Sequence, residues 1–128
     1  MCHRYLGITK LPALAVAGFL ASVLLGCGEY KSNNFANYAE ASESGIIERG
    51  WIPAFIPKSA YDINEQHRVD VDSIDVEFMF DPGDIGVFNS ACTLLEENTY
   101  LCENSGYPVL IVVTGGNHAA IKSVQNGT

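Results

Sequence analysis

Between Gly50 and Phe80 the chain reads GWIPAFIPKSAYDINEQHRVDVDSIDVEFMF, and this stretch constrains the fold more than any other. It holds the only tryptophan and two of the 5 prolines. Pro53 and Pro57 fix their own φ and push Ile52 and Ile56 extended, so the segment is a stiff, non-helical connector. Trp51, Ile52, Phe55 and Ile56 give it too much apolar surface for a solvated linker, and it reads as a lid across the core. Alternation begins at Tyr61: Tyr61, Ile63, Glu65, His67 and Val69 share one face. After the acidic turn Asp70-Val71-Asp72-Ser73, Ile74, Val76, Phe78 and Phe80 face one way and Asp75, Glu77 and Met79 the other. Two such runs joined by a short polar turn predict an antiparallel hairpin with one buried face.

The block GIIERGWIPAFIPKSAYDINEQH resembles the YbbD-head-like proteins, a family of bacterial envelope lipoproteins. The residues that carry the resemblance are Gly50, Trp51, Pro53, Pro57, Ser59, Ala60, Ile63, Glu65, His67 and Asp70. Family members often place an acid directly after the histidine and Thr-Asn in the turn, where this chain has Arg68, Val71 and Asp72. The resemblance implies an envelope location and a fold, and no activity.

The N-terminal residues read as a processing segment. Arg4 and Lys10 precede an apolar run from Leu11 to Leu25, which ends in Leu24-Leu25-Gly26-Cys27, like the lipobox of a bacterial lipoprotein. A membrane span needs about 20 apolar residues, so the run is short for a span and suited to a signal h-region. Residues 1–26 are expected to be a lipoprotein signal peptide, Cys27 the lipidation site and 27–34 a tether. Residues 35–128 would form one periplasmic domain. The alternative is an uncleaved signal anchor with an incidental cysteine. Glycine at position 28, where aspartate would favour inner-membrane retention, points to the periplasmic face of the outer membrane. The acyl chains on Cys27 would supply the membrane contact, each buried CH₂ contributing about 0.8 kcal/mol.

Cleavage would take two of the 7 basic residues and none of the 15 acidic ones, moving the net charge from −8 to −10. That balance argues against nucleic acid as a partner and against docking on anionic phospholipid headgroups. It suits solubility near a membrane, and it is compatible with a cationic envelope protein. Cys2 would leave with the signal and Cys27 carry lipid, so Cys92 and Cys102 remain as a pair expected to form a disulfide. Closing that short loop contributes roughly 2–3 kcal/mol by the chain-entropy argument. A metal or redox role is disfavoured by the spacing and by the lack of a nearby histidine.

Phe35 to Arg49 reads as an amphipathic helix through Phe35, Tyr38, Ala39, Ser42, Ile46 and Arg49, capped by Asn33 or Asn34, interrupted by Gly45 and stopped at Gly50. Asp81-Pro82-Gly83-Asp84 opens a second helix, with Ile85, Phe88, Cys92 and Leu95 on one face. Glu96 and Glu97 are unfavourable at its end, so it should fray early. Asn98 to Cys102 reads as a short strand or a loop. Pro108 to Thr114 predicts a central strand buried on both sides, and Gly115-Gly116-Asn117 turns it into His118–Val124.

Glu65 and His67 are the best candidates for chemistry. In a strand they share a face, and a carboxylate beside an imidazole is the minimal acid–base pair. The bland alternative is a half-exposed pair at the open end of the hairpin, hydrogen-bonded to each other or to the Trp51 segment. No nucleophile motif accompanies them, so no catalytic residue is assigned. Asp70, Asp72, Asp75 and Glu77 break calcium-loop spacing, and a zinc pair of His67 and His118 would require two hairpins to meet. No metal or cofactor is expected.

The fold predicted is α+β: a four-stranded, mainly antiparallel sheet covered by two helices, with Trp51 closing one edge of the core. The function predicted is a lipid-anchored, non-catalytic binding or structural module, with Trp51, Glu65, His67 and Asp70 as candidate functional residues. A small envelope hydrolase using Glu65 and His67 is the alternative from another class. A periplasmic inhibitor of a cationic enzyme, using the acidic surface, is a third.

Overall fold

The computed structural model describes residues 30–71 and 73–124. Its core element is a single antiparallel sheet of seven strands, with two short helices. In chain order these are β1 (Tyr30–Asn37), α1 (Tyr38–Ser44), β2 (Tyr61–Arg68), β3 (Ser73–Met79), α2 (Gly86–Ala91), β4 (Thr93–Glu96), β5 (Thr99–Asn104), β6 (Tyr107–Thr114) and β7 (His118–Ser123). The spatial order is β1-β2-β3-β7-β6-β5-β4. The four-stranded expectation is therefore corrected. The four strands read from the sequence are the contiguous central block β2-β3-β7-β6, and the sheet extends beyond it on both sides.

The additional strands escaped notice for physical reasons. β1 was expected to be tether and helix, because an edge strand with a solvated outer face shows little apolar alternation. Only Asn33 and Phe35 of its residues are even half-buried, opposite Glu65 and Ile63 of β2. The first helix is correspondingly short. Asn37 caps it, its Oδ1 accepting from the Glu40 backbone N–H at 2.9 Å, while Glu40 Oε1 accepts from Ala36 N–H at 2.6 Å. This reciprocal arrangement ties down two donors that a helix start leaves unpaired. Gly45 ends the helix at φ 86°, a conformation that costs glycine little.

The second helix also stops early. Asp81 Oδ1 accepts from Gly83 N–H at 2.9 Å and starts a 3₁₀ turn over Pro82–Asp84, which leads into α2. Cys92 is already extended, and Thr93–Glu96 forms β4. The helical spacing that included Leu95 was accidental, and Leu95 is exposed. The Cys92–Cys102 disulfide is present, joining the end of α2 to β5.

One core lies against one face of the sheet. Ile63, Val76, Phe78, Val109, Ile111 and Ile121 point into it from the strands. Ala41 and Phe88 enter from the helices, and Ile46, Ile52, Ile56 and Ala60 from the segment between α1 and β2. Phe80 meets Phe88 edge-to-face at 5.6 Å, and Phe88 meets Tyr100 at 5.7 Å with the rings tilted by 45°. The opposite face of the sheet is open. β6 is thus buried on one side only: Val109, Ile111 and Val113 are enclosed while Val112 is exposed, which corrects the two-sided reading.

Candidate functional site

The parity of β2 decides what Glu65 and His67 can do. Because Ile63 is fully enclosed, its i+2 and i+4 neighbours must also point inward. Glu65 is 2% exposed and His67 7%. The half-exposed arrangement at the hairpin end is excluded by this burial, although the expected mutual hydrogen bond is present. His67 Nδ1 and Glu65 Oε2 lie 2.5 Å apart, at hydrogen-bond distance. The other carboxylate oxygen, Oε1, accepts from Asn33 Nδ2 at 2.9 Å. A buried carboxylate with both oxygens occupied satisfies the requirement that polar groups taken from water find partners.

Trp51 completes the arrangement. Its indole stacks on the imidazole of His67 with ring centroids 3.8 Å apart and planes 10° from parallel. The stack is held because the connector is stiff and well sunk: Ile52, Pro53, Ile56 and Pro57 are all buried. Trp51 N–H donates to the Ile46 carbonyl at 3.2 Å. Trp51 itself is half-buried, forming a cover over the pair and not an interior anchor.

A second polar contact fixes the start of the connector. Asn104, 5% exposed, donates through Nδ2 to the Gly50 carbonyl at 2.9 Å and to the Tyr107 hydroxyl at 3.1 Å. Sequence reasoning missed Asn104. The signal that could have found it is parity, since in β5 it alternates with the inward-facing Tyr100 and Cys102. Gly50 adopts φ 86°, and a Cβ there would stand 3.0 Å from Ser105 Oγ. Glycine is therefore required where the connector meets the β5–β6 turn.

The remaining candidates lie elsewhere. Asp70 is in the exposed β2–β3 turn, paired with Arg68 through Nε–Oδ1 at 3.0 Å and Nη2–Oδ2 at 2.6 Å. Hydrogen bonding to Arg68 holds the Asp70 carboxyl below its ordinary value, and the same bond raises Arg68. Arg68 also stands over the ring of Tyr30 at 5.7 Å. His118 and His67 are not brought together, because His118 pairs with Met79 at the opposite end of β3 and contacts Glu77 at 3.4 Å. Among the described residues no cluster of three or more acidic, histidine or cysteine side chains could hold a metal ion, and no cysteine is free. Cys27 lies outside the described residues, as does Asp72.

Chemically, the Glu65–His67 pair resembles an oriented acid–base dyad, with the carboxylate fixing the imidazole through Nδ1. A shallow trough bordered by Asn34, Asn64, Gln66, Asp75 and Glu77 runs over the open face of β1–β3. Glu65 also borders it, but its side chain is wholly enclosed.

No curated protein and no solved structure matches the chain. A family model does match, over residues 29–79, which span β1, α1, the Trp51 connector and the β2–β3 hairpin. This stretch, which contains Asn33, Trp51, Glu65 and His67 together, is similar to the YbbD head domain.

Proposed function

We propose that the protein is a lipid-anchored module of the bacterial cell envelope, attached through Cys27 to the periplasmic face of the outer membrane. It acts as a non-catalytic binding or structural domain, and Glu65 and His67 lock the Trp51 connector onto the sheet. The observation that carries the non-catalytic reading is the enclosure of the Glu65–His67 pair beneath Trp51. One oxygen is held by His67 and the other by Asn33, and the imidazole is covered by the indole. In such a pair the base would be His67 Nε2, and an imidazole only 7% exposed beneath the indole gives a substrate proton little access to it. The anchoring reading is supported by the basic start, the apolar run and Leu24-Leu25-Gly26-Cys27 in the sequence.

The hydrolase alternative would make the pair a site that is strained for function, and replacing such residues commonly stabilises a protein. A structural lock behaves in the opposite way. Glu65→Gln should lower the melting temperature, whereas an unchanged or raised value favours the hydrolase. Cys27→Ser should move the protein from the membrane to the soluble fraction in detergent partition. Continued membrane fractionation would remove the anchor.

A further inference from the structure

The ends of the sheet differ in charge and apolarity, and one end lies beside the anchor. Tyr30, Val69 and Val71 are 62%, 51% and 48% exposed and lie together, because Tyr30 is the register partner of Arg68. Tyr30 is three positions after Cys27, so an extended chain of ~3.5 Å per residue keeps the start of β1 within ~10 Å of that cysteine. Charges of both signs stand at this end, and several of them are paired. Arg68 is paired with Asp70 and Lys122 with Asp75, while Lys31 is exposed on β1 and Glu103 on β5; in the sequence Glu29 directly precedes Tyr30. Asp72 follows in the turn, outside the described residues. By contrast, Glu40, Asp62, Asp81, Asp84, Glu96 and Glu97 all belong to the other end, where β1, β3 and β4 finish and β2 and β5 begin.

We propose that the end of the sheet formed by Tyr30, Val69 and Val71 rests in the interfacial layer of the lipid bilayer, fixing the orientation of the domain on its anchor. This inference rests on the anchoring at Cys27 proposed above. Two valines and a tyrosine are too little apolar surface to hold a free protein on a membrane. A domain already tethered a few residues away meets the surface at high effective concentration, so small contacts suffice to orient it. Tyrosine suits the headgroup level, with an apolar ring and a polar tip. The distribution of acids directs the repelled end of a strongly negative domain away from anionic lipid. The open trough and the exposed Leu94 and Leu95 would then face away from the contact.

The test uses the full-length, lipidated protein in vesicles of phosphatidylethanolamine and phosphatidylglycerol that contain a lipid with a diazirine on its acyl chain. After flotation and illumination, labelled peptides are mapped by mass spectrometry. The peptide carrying Val69–Val71 should take up several-fold more label than the one carrying Leu94–Leu95, which are equally exposed at 56% and 53% but lie at the opposite edge of the sheet. Val69→Asp with Val71→Asp should bring the two peptides level; if that variant does not fold, the wild-type ratio alone decides. Flotation with equal labelling, or with no label on Val69–Val71, overturns the orientation and leaves the anchor standing. Failure of the wild-type protein to float overturns both.

Discussion

The two sides of the sheet are held together by different means. On the β1–β3 side the connector is joined to the strands through Trp51, stacked on the His67 imidazole that Glu65 and, behind it, Asn33 hold in place, with one further polar contact reaching the Gly50 carbonyl from Asn104 of β5. On the β4–β7 side the contacts are rows of aliphatic side chains, Val109, Ile111, Val113, Ala119 and Ile121, with the Cys92–Cys102 disulfide at the margin. The difference teaches what each device is for. Aliphatic packing is non-directional and tolerates small shifts, whereas a satisfied buried network accepts only one arrangement. An irregular connector with few ladder hydrogen bonds needs the second kind of constraint, and a paired strand does not.

Breaking the polar side should have the largest effect. His67→Ala leaves the Glu65 carboxylate enclosed without its principal partner and takes away the surface on which Trp51 stacks. Removing one member of a buried pair costs about 3–5 kcal/mol. Chemical denaturation should show a loss of that order, and a change within error would mean that the pair contributes nothing to folding. Breaking the other side should cost less. Replacing Cys92 and Cys102 by alanine opens a loop of sequence separation 10 and should destabilise by roughly 2–3 kcal/mol on the same measurement.

The smallest effect belongs to the exposed turn. Asp70 has its pKa lowered from the ordinary 3.8 by the hydrogen bonds to Arg68. Its pairing therefore contributes stability that is fully present above that ordinary value and is lost as pH falls through the lowered one. Because both groups are in solvent, the contribution is slight and should fade with added salt. Asp70→Asn should leave the melting temperature near neutral pH almost unchanged and slightly reduce the loss of stability on acidification. A large drop at neutral pH would show that the turn is held by more than this pair.

How much of this was legible in the sequence follows the same division. Alternation located the buried faces of β2 and β3, because Ile63, Ile74, Val76 and Phe78 leave no ambiguity about parity. The cap at Asp81, the glycine turn before β7 and the cysteine pairing were readable from local chemistry. β1 was not, since an edge strand of polar residues has no period to detect, and β4 was hidden by a false helical spacing through Leu95. Parity placed Glu65 and His67 on one face. Their enclosure depends on Trp51 folding back across 16 residues to reach His67, a tertiary event for which local pattern carries no signal. Asn104 was missed because β5 itself was left undecided between strand and loop.

The account turns on one claim: the Glu65–His67 pair holds the Trp51 connector on the sheet. Hydrogen exchange of wild-type and His67→Ala proteins tests it directly, read at the Trp51 amide, which donates to Ile46, and across residues 46–57. The wild-type connector should be protected nearly as well as β6 and β7, since both belong to one cooperative core. In His67→Ala, protection of 46–57 should collapse selectively while Val109–Val113 and Ala119–Ile121 remain slow to exchange. Unaltered protection of 46–57 in the variant, or a wild-type connector that already exchanges like free chain, would contradict the claim.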